Sequence, residues 1–162
     1  MTCNRDNVPE TAKSVMSNIH EARRNLEETC CHPEKAMVRI LTNRMIGQID
    51  VLESAIFEIC CARLEEGFGK DSAEYAEFTG AFWKEHKLDR GNRLLTDKWL
   101  LESAIVFVDD ARSDLLSLRR ESRVDSLVFD PVVESFGRLR LGLESLMSIA
   151  SSEEESAPSW SF

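Results

Sequence analysis

The chain has 162 residues, 43% of them hydrophobic and 30% charged, with a formal net charge of −9. That length supports one domain with a real hydrophobic core, and that charge argues against nucleic-acid binding, because phosphates would be repelled. No stretch approaches the roughly 18 apolar residues of a membrane span, and the first eight residues are too short and polar for a signal peptide, so a cytoplasmic protein is expected.

Seven Gly and four Pro are few turn formers for this length. Their scarcity predicts long elements rather than many short strands. Residues 1–8 are expected to be disordered. A first helix is predicted from Pro9, favoured at a first helical position, to about Cys30. Val15, Ile19, Ala22 and Leu26 form its apolar stripe.

The second helix is predicted between Pro33 and Gly67. Val38, Leu41, Met45, Ile49, Leu52, Ile56, Ile59 and Arg63 recur at steps of three or four. That periodicity passes through Gly47 and predicts one rod of about 50 Å at 1.5 Å per residue. A short third helix, Ser72 to His86, is expected after a cap at Asp71 with Glu74. It carries Tyr75, Phe78, Phe82 and Trp83 as a packing face.

Asn92 is a plausible cap for a fourth helix reaching Glu121. Leu94, Leu101, Ile105, Val108 and Leu115 share one face, and Leu95, Trp99 and Val106 form a flanking stripe. Such a wide apolar surface predicts burial on two sides, or on one side with a partner on the other. Val124 to Phe129 reads as an extended connector. Asp130 then caps a fifth helix starting at Pro131 and carrying Val132, Phe136, Leu139, Leu143 and Leu146 to about Ala150.

The expected architecture is therefore all-α. It is a helical bundle over 9–150 of about five helices, two of them long, followed by a flexible acidic tail over 151–162. One internal echo stands out. Leu-Glu-Ser-Ala-Ile occurs at 52–56 and 101–105, each followed at matching distance by Ala-Arg, and Leu143-Glu144-Ser145-Leu146 is a weaker copy. Duplication of a helical hairpin would explain it; so would chance among common helix formers.

Chemical motifs are sparse. Cys30, Cys31, His32, Cys60 and Cys61 are metal-ligand types, but a second helix of the predicted length holds the two groups roughly 40 Å apart. Adjacent Cys on a helix also diverge by about 100°. Five Cys, with two vicinal pairs, read as reduced thiols and small hydrophobes. None of His20, His32 and His86 follows a Glu by three positions, so the carboxylate-bridged di-iron pattern is absent. Serine-hydrolase, phosphate-loop and zinc-protease motifs are missing as well. No cofactor and no enzymatic activity is expected.

The tail carries the sharpest functional signal. Glu153, Glu154 and Glu155 precede Pro158, Trp160 and Phe162. Over 153–162 alone it is similar in kind to the acidic, Phe-terminated tips of bacterial single-stranded-DNA-binding proteins. That resemblance implies docking into a basic, apolar pocket of another protein. The expected role is protein–protein binding, as an adaptor, regulator or inhibitor. Glu153, Glu154, Glu155, Trp160, Phe162, Leu95, Trp99 and Val106 are the candidate contact residues, and the partner is a protein, basic in character. The alternative role is self-assembly into a homo-oligomer through apolar helix faces. A small metal protein or enzyme ranks behind both.

Overall fold

The computed structural model describes residues 5–29, 36–80 and 96–155, with side chains over 6–29, 36–80 and 96–149. Among these, a 3-10 turn at Arg5–Asn7 precedes five α-helices and no strand is present. The helices are α1 (Val8–Thr29), α2 (Ala36–Phe68), α3 (Ala73–Thr79), α4 (Asp97–Ser117) and α5 (Arg123–Glu155).

Four of them form a ring. α1 packs on α4 and α2, and α5 packs on α4 and α2. Every neighbouring pair is antiparallel. Ser14 bonds Asp114 while Asn25 bonds Leu100, so α1 and α4 run in opposite directions. Arg63 meets Asp125 while Met45 touches Gly142, so α2 and α5 do too. With α1 pointing up, α2 and α4 both point down and α5 points up. α3 lies on the lower part of the bundle, packed on α2 and α1, with Phe78 stacked on Phe57 at 5.3 Å between ring centres and Glu77 paired to Lys13 at 3.1 Å.

The predicted stripes fill the interior. Val15, Ile19, Ala22 and Leu26 of α1 are buried, as are Val38, Met45, Ile49, Leu52, Ile56, Ile59 and Arg63 of α2. Leu41 stays half-buried against the core. From α4 come Leu101, Val108 and Leu115, and from α5 Val132, Phe136, Leu139, Leu143 and Leu146. α2 is unbroken through Gly47. It ends one residue beyond Gly67, with Gly69 in the left-handed region at φ 92° and its N–H on the Glu65 carbonyl at 2.9 Å. Only glycine adopts that backbone cheaply.

Other boundaries differ from expectation. Ser72, not Asp71, caps α3, accepting from the Tyr75 N–H at 3.2 Å. α3 stops at Thr79, where the Gly80 N–H closes on Ala76; Phe82, Trp83 and His86 lie outside the described residues. Thr96 caps α4, four residues past Asn92, by accepting from the Trp99 N–H at 3.1 Å. α4 ends at Ser117 rather than Glu121.

The largest correction concerns Val124 to Phe129, which is helix, not connector. Ser122 accepts from the Asp125 N–H at 3.0 Å, so the true cap sits eight residues before the predicted one at Asp130. Pro131 is therefore inside α5. Interior Pro removes one helical bond, at a cost of about 3 kcal/mol. Burial of Phe129 and Val132 on either side opposes that cost. α5 also runs on through Ser151 to Glu155, so the three glutamates belong to its last turns and not to a separate tail. Only 156–162 lie beyond the described helix.

The Leu-Glu-Ser-Ala-Ile copies fall in α2 and α4. A duplicated hairpin would instead match α1 with α4 and α2 with α5. The copies also present different faces. Ile56 and Arg63 are buried in α2, whereas Ala104 and Ala111 are buried in α4 and Arg112 is exposed. That is a rotation of about 100°, one residue. The same words serve two registers, which speaks against hairpin duplication.

Gly69→Ala should lower stability by about 1–2 kcal/mol, since it forces a Cβ into the left-handed region. Gly137→Ala, on the exposed side of α5 with nothing within 4 Å of an added Cβ, should raise it by about 1 kcal/mol. Thermal unfolding of the two variants, followed by circular dichroism, should therefore shift in opposite directions.

Candidate interaction surface

Two features stand apart from the apolar core: a buried ionic knot at the lower end, and an uncovered apolar face along α2 and α5. The knot centres on Arg63, the last residue of the α2 stripe. Its guanidinium donates to the Leu118 carbonyl at 2.9 Å, to Glu66 at 2.7 Å and to Asp125. Its charge also lies 5.6 Å from the centre of the Phe129 ring. Asp125 accepts in addition from the Arg120 N–H at 2.5 Å, and Glu66 is shared with Arg120 at 3.1 Å. One side chain thus joins the end of α2, the α4–α5 turn and the first turn of α5. Burial alone would raise the Asp125 pKa and is the largest influence on it. The bonds from Arg63 and Arg120, with the Arg63 charge, together outweigh burial and hold the carboxyl below its ordinary value. Arg63 and Asp125 are buried and bonded to protein partners while Glu66 and Arg120 lie at the exposed edge, so the knot reads as structural.

Neither described cysteine supplies a reactive thiolate. Cys60 is fully buried and burial pushes its thiol far up. Cys61 is raised by partial burial and then by Glu58 and Glu65. Thiols held protonated are poor nucleophiles and ligands. Cys30, Cys31 and His32 lie outside the described residues. Among the described residues, no group of three or more His, Cys, Asp or Glu is placed to hold a metal ion. No described helix is long and apolar enough to cross a membrane.

The apolar face is the less expected feature. Val51 is 74% exposed, Leu127 70%, and Met37 and Val124 each 69%. Ile40, Val128 and Ile149 are exposed beside them. All seven sit on α2 or α5, on the side where these helices meet away from the core. Between the two helices runs a groove of about 580 Å³, lined by Val51, Leu52, Ala55, Pro131, Val132 and Leu139, with Arg44, Gln48, Ser135 and Arg138 among its polar members. Gly47 also lines it, and a Cβ there would meet nothing within 4 Å.

The contact residues expected from sequence map differently. Trp99 and Val106 are exposed, at 45% and 56%, one above the other on α4. Glu102 and Asp110 are exposed on the same side, so these two apolar residues stand in an acidic strip away from the α2–α5 face. Leu95, Trp160 and Phe162 lie outside the described residues, and of Glu153 to Glu155 the helical backbone alone is described. On α2 the face is a second stripe, Met37, Ile40, Arg44, Gln48 and Val51, that the core stripe does not use. On α5 the matching residues Val124, Leu127 and Val128 fall in the segment whose pattern reads as a connector and whose structure is helix.

Three arginines of the last third are tied up in ion pairs. Arg119 pairs with Asp130 at 3.2 Å, Arg120 with Glu66 at 3.1 Å, and Arg140 with Glu144 at 2.9 Å and Asp109 at 3.5 Å. No family model, no curated protein and no solved structure matches this chain.

Arg63→Ala leaves Asp125 buried without its partner and should cost about 3 kcal/mol. The acid limb gives a second check. A carboxyl with a lowered folded pKa contributes stability at neutral pH and loses it as pH falls from about 5 through the unfolded value near 3.9. Wild-type unfolding free energy should thus decline more steeply below about pH 5 than that of Asp125→Asn, as measured by denaturant titration at stepped pH.

Proposed function

We propose that this chain is a non-catalytic helical protein that works by binding protein through its α2–α5 face. The observation that carries the reading is the set of large exposed apolar side chains on these two helices, one of which, Val51, lines a groove between them. Contiguous exposed apolar surface with a polar rim is what a binding site requires and what an isolated monomer normally avoids. The acidic charge of the chain favours a partner with basic groups at its margin. Glu102 and Asp110 around Trp99 and Val106 supply a second, smaller contact of the same character on α4.

A photo-crosslinker at Val51, used in native lysate, should give discrete adducts that Leu127→Asp abolishes. The same probe at Glu121, an exposed position near the knot, should give none. A folded Leu127→Asp variant that leaves the adducts intact, or a Val51 probe that captures nothing, refutes the reading.

A further inference from the structure

The α2–α5 face matches itself. Taken with the protein-binding reading above, on which this rests, that match identifies an occupant: we propose that a second copy of the chain covers the face, antiparallel, about a twofold axis passing beside Val51.

The argument starts with α2. Arg44, Val51 and Glu58 are spaced by seven, so they lie along one line of the helix, and all three are exposed. Seven residues above Val51 is a cation and seven below is an anion, each about 10 Å away along the axis. Neither Arg44 nor Glu58 has an ion-pair partner among the described residues. A twofold axis perpendicular to the helix at Val51 sets Val51 against its symmetry mate. It also sets each Arg44 against the partner's Glu58, making two identical ion pairs. An isologous interface demands this reciprocity. A parallel arrangement would put like charges opposite each other, at a penalty.

Along the rest of the line Met37 falls opposite the partner's Glu65, while the inner positions pair apolar or small residues. The same operation places Ile40 opposite the partner's Ala62, and Gly47 opposite the partner's Ala55. Ile40, Gly47 and Ala62 are exposed and Ala55 is half-buried. Small residues on either side of Val51 let two helix backbones approach closely, and the space above Gly47 is empty out to 4 Å.

α5 provides an independent check. Arg63 with Asp125 and Met45 with Gly142 fix which levels of α2 and α5 coincide, and they put Val51 level with Phe136 and Gly137. Reflected through that level, Val124 falls opposite the partner's Ile149, pairing two exposed apolar residues. Arg138 falls within a residue of the partner's Glu134, again cation against anion and both exposed. Each helix therefore gives one apolar match and one opposite-charge match about an axis chosen on α2 alone, while Leu127 and Val128 fall opposite the partner's buried Leu146 and its Ser145.

The test is a charge swap read by sedimentation equilibrium over a concentration series. Wild type should be dimeric and should dissociate on dilution, more readily at high salt. Arg44→Glu alone, or Glu58→Arg alone, turns two attractive contacts into two repulsive ones and should raise the dissociation constant about tenfold or more. The double variant Arg44→Glu with Glu58→Arg restores opposite charges and should return to within about threefold of wild type. Circular dichroism of each variant should match wild type, since both positions are exposed. A wild type that stays monomeric at every concentration overturns the proposal. So does a dimer insensitive to either reversal, or a double variant no better than the singles. If the Val51 probe captures another protein while the chain itself is monomeric, the twofold assembly falls and the protein-binding role of the face stands.

Discussion

The buried Arg63 guanidinium fixes how the two halves of this bundle meet. α2 presents an uninterrupted apolar stripe, and its last member is an arginine in a position where a leucine would satisfy the periodicity. A buried cation is tolerable only if its donors are all occupied. The chain gives each of the three guanidinium nitrogens an acceptor: the Leu118 carbonyl at the end of α4, Glu66 one turn onward, and Asp125 in the first turn of α5. Those partners come from three segments, so satisfying Arg63 sets the angle of the α4–α5 turn against α2. The same knot explains why α5 starts where it does: Asp125 is both an Arg63 partner and the residue whose N–H the Ser122 cap receives.

That registration has a consequence for the surface. Once α2 and α5 are locked at their lower end, their remaining lengths run antiparallel and meet closely at Met45 and Gly142. α3 covers the α1–α2 side, and α4 covers the inner side of α5. The outer side of the α2–α5 pair has no described element upon it. α2 is apolar around much of its circumference, so burying one stripe leaves a second one bare. The bare face is thus a by-product of how the bundle closes.

The helical class and most of the core were legible beforehand, because three- and four-residue spacing survives any arrangement of the helices. Val15 to Leu26 in α1, Val38 to Arg63 in α2 and Val132 to Leu146 in α5 were read from that spacing alone. Ends were harder. Pro131 looked like a helix start because proline is favoured there, yet burial of Phe129 and Val132, together with the Ser122 cap, carried the helix through it. Asn92 and Asp71 looked like caps, while the bonds are made by Thr96 and Ser72. Several nearby side chains have suitable oxygens, and the choice depends on where the chain turns. The repeated pentapeptide likewise told nothing of its surroundings, since its two copies bury faces one residue apart.

By itself, then, the order of residues determined that the chain is helical, which face of each long helix is greasiest, and that one arginine lies on such a face. Those are local properties, set by periods of 3.6 residues and by side-chain chemistry. Tertiary structure decided which second stripe remains uncovered, which carboxylate answers Arg63, and that cation and anion on α2 and α5 lie symmetrically about one level. These depend on how separate helices are aligned, and alignment comes from contacts between residues far apart in the chain, which no local period encodes.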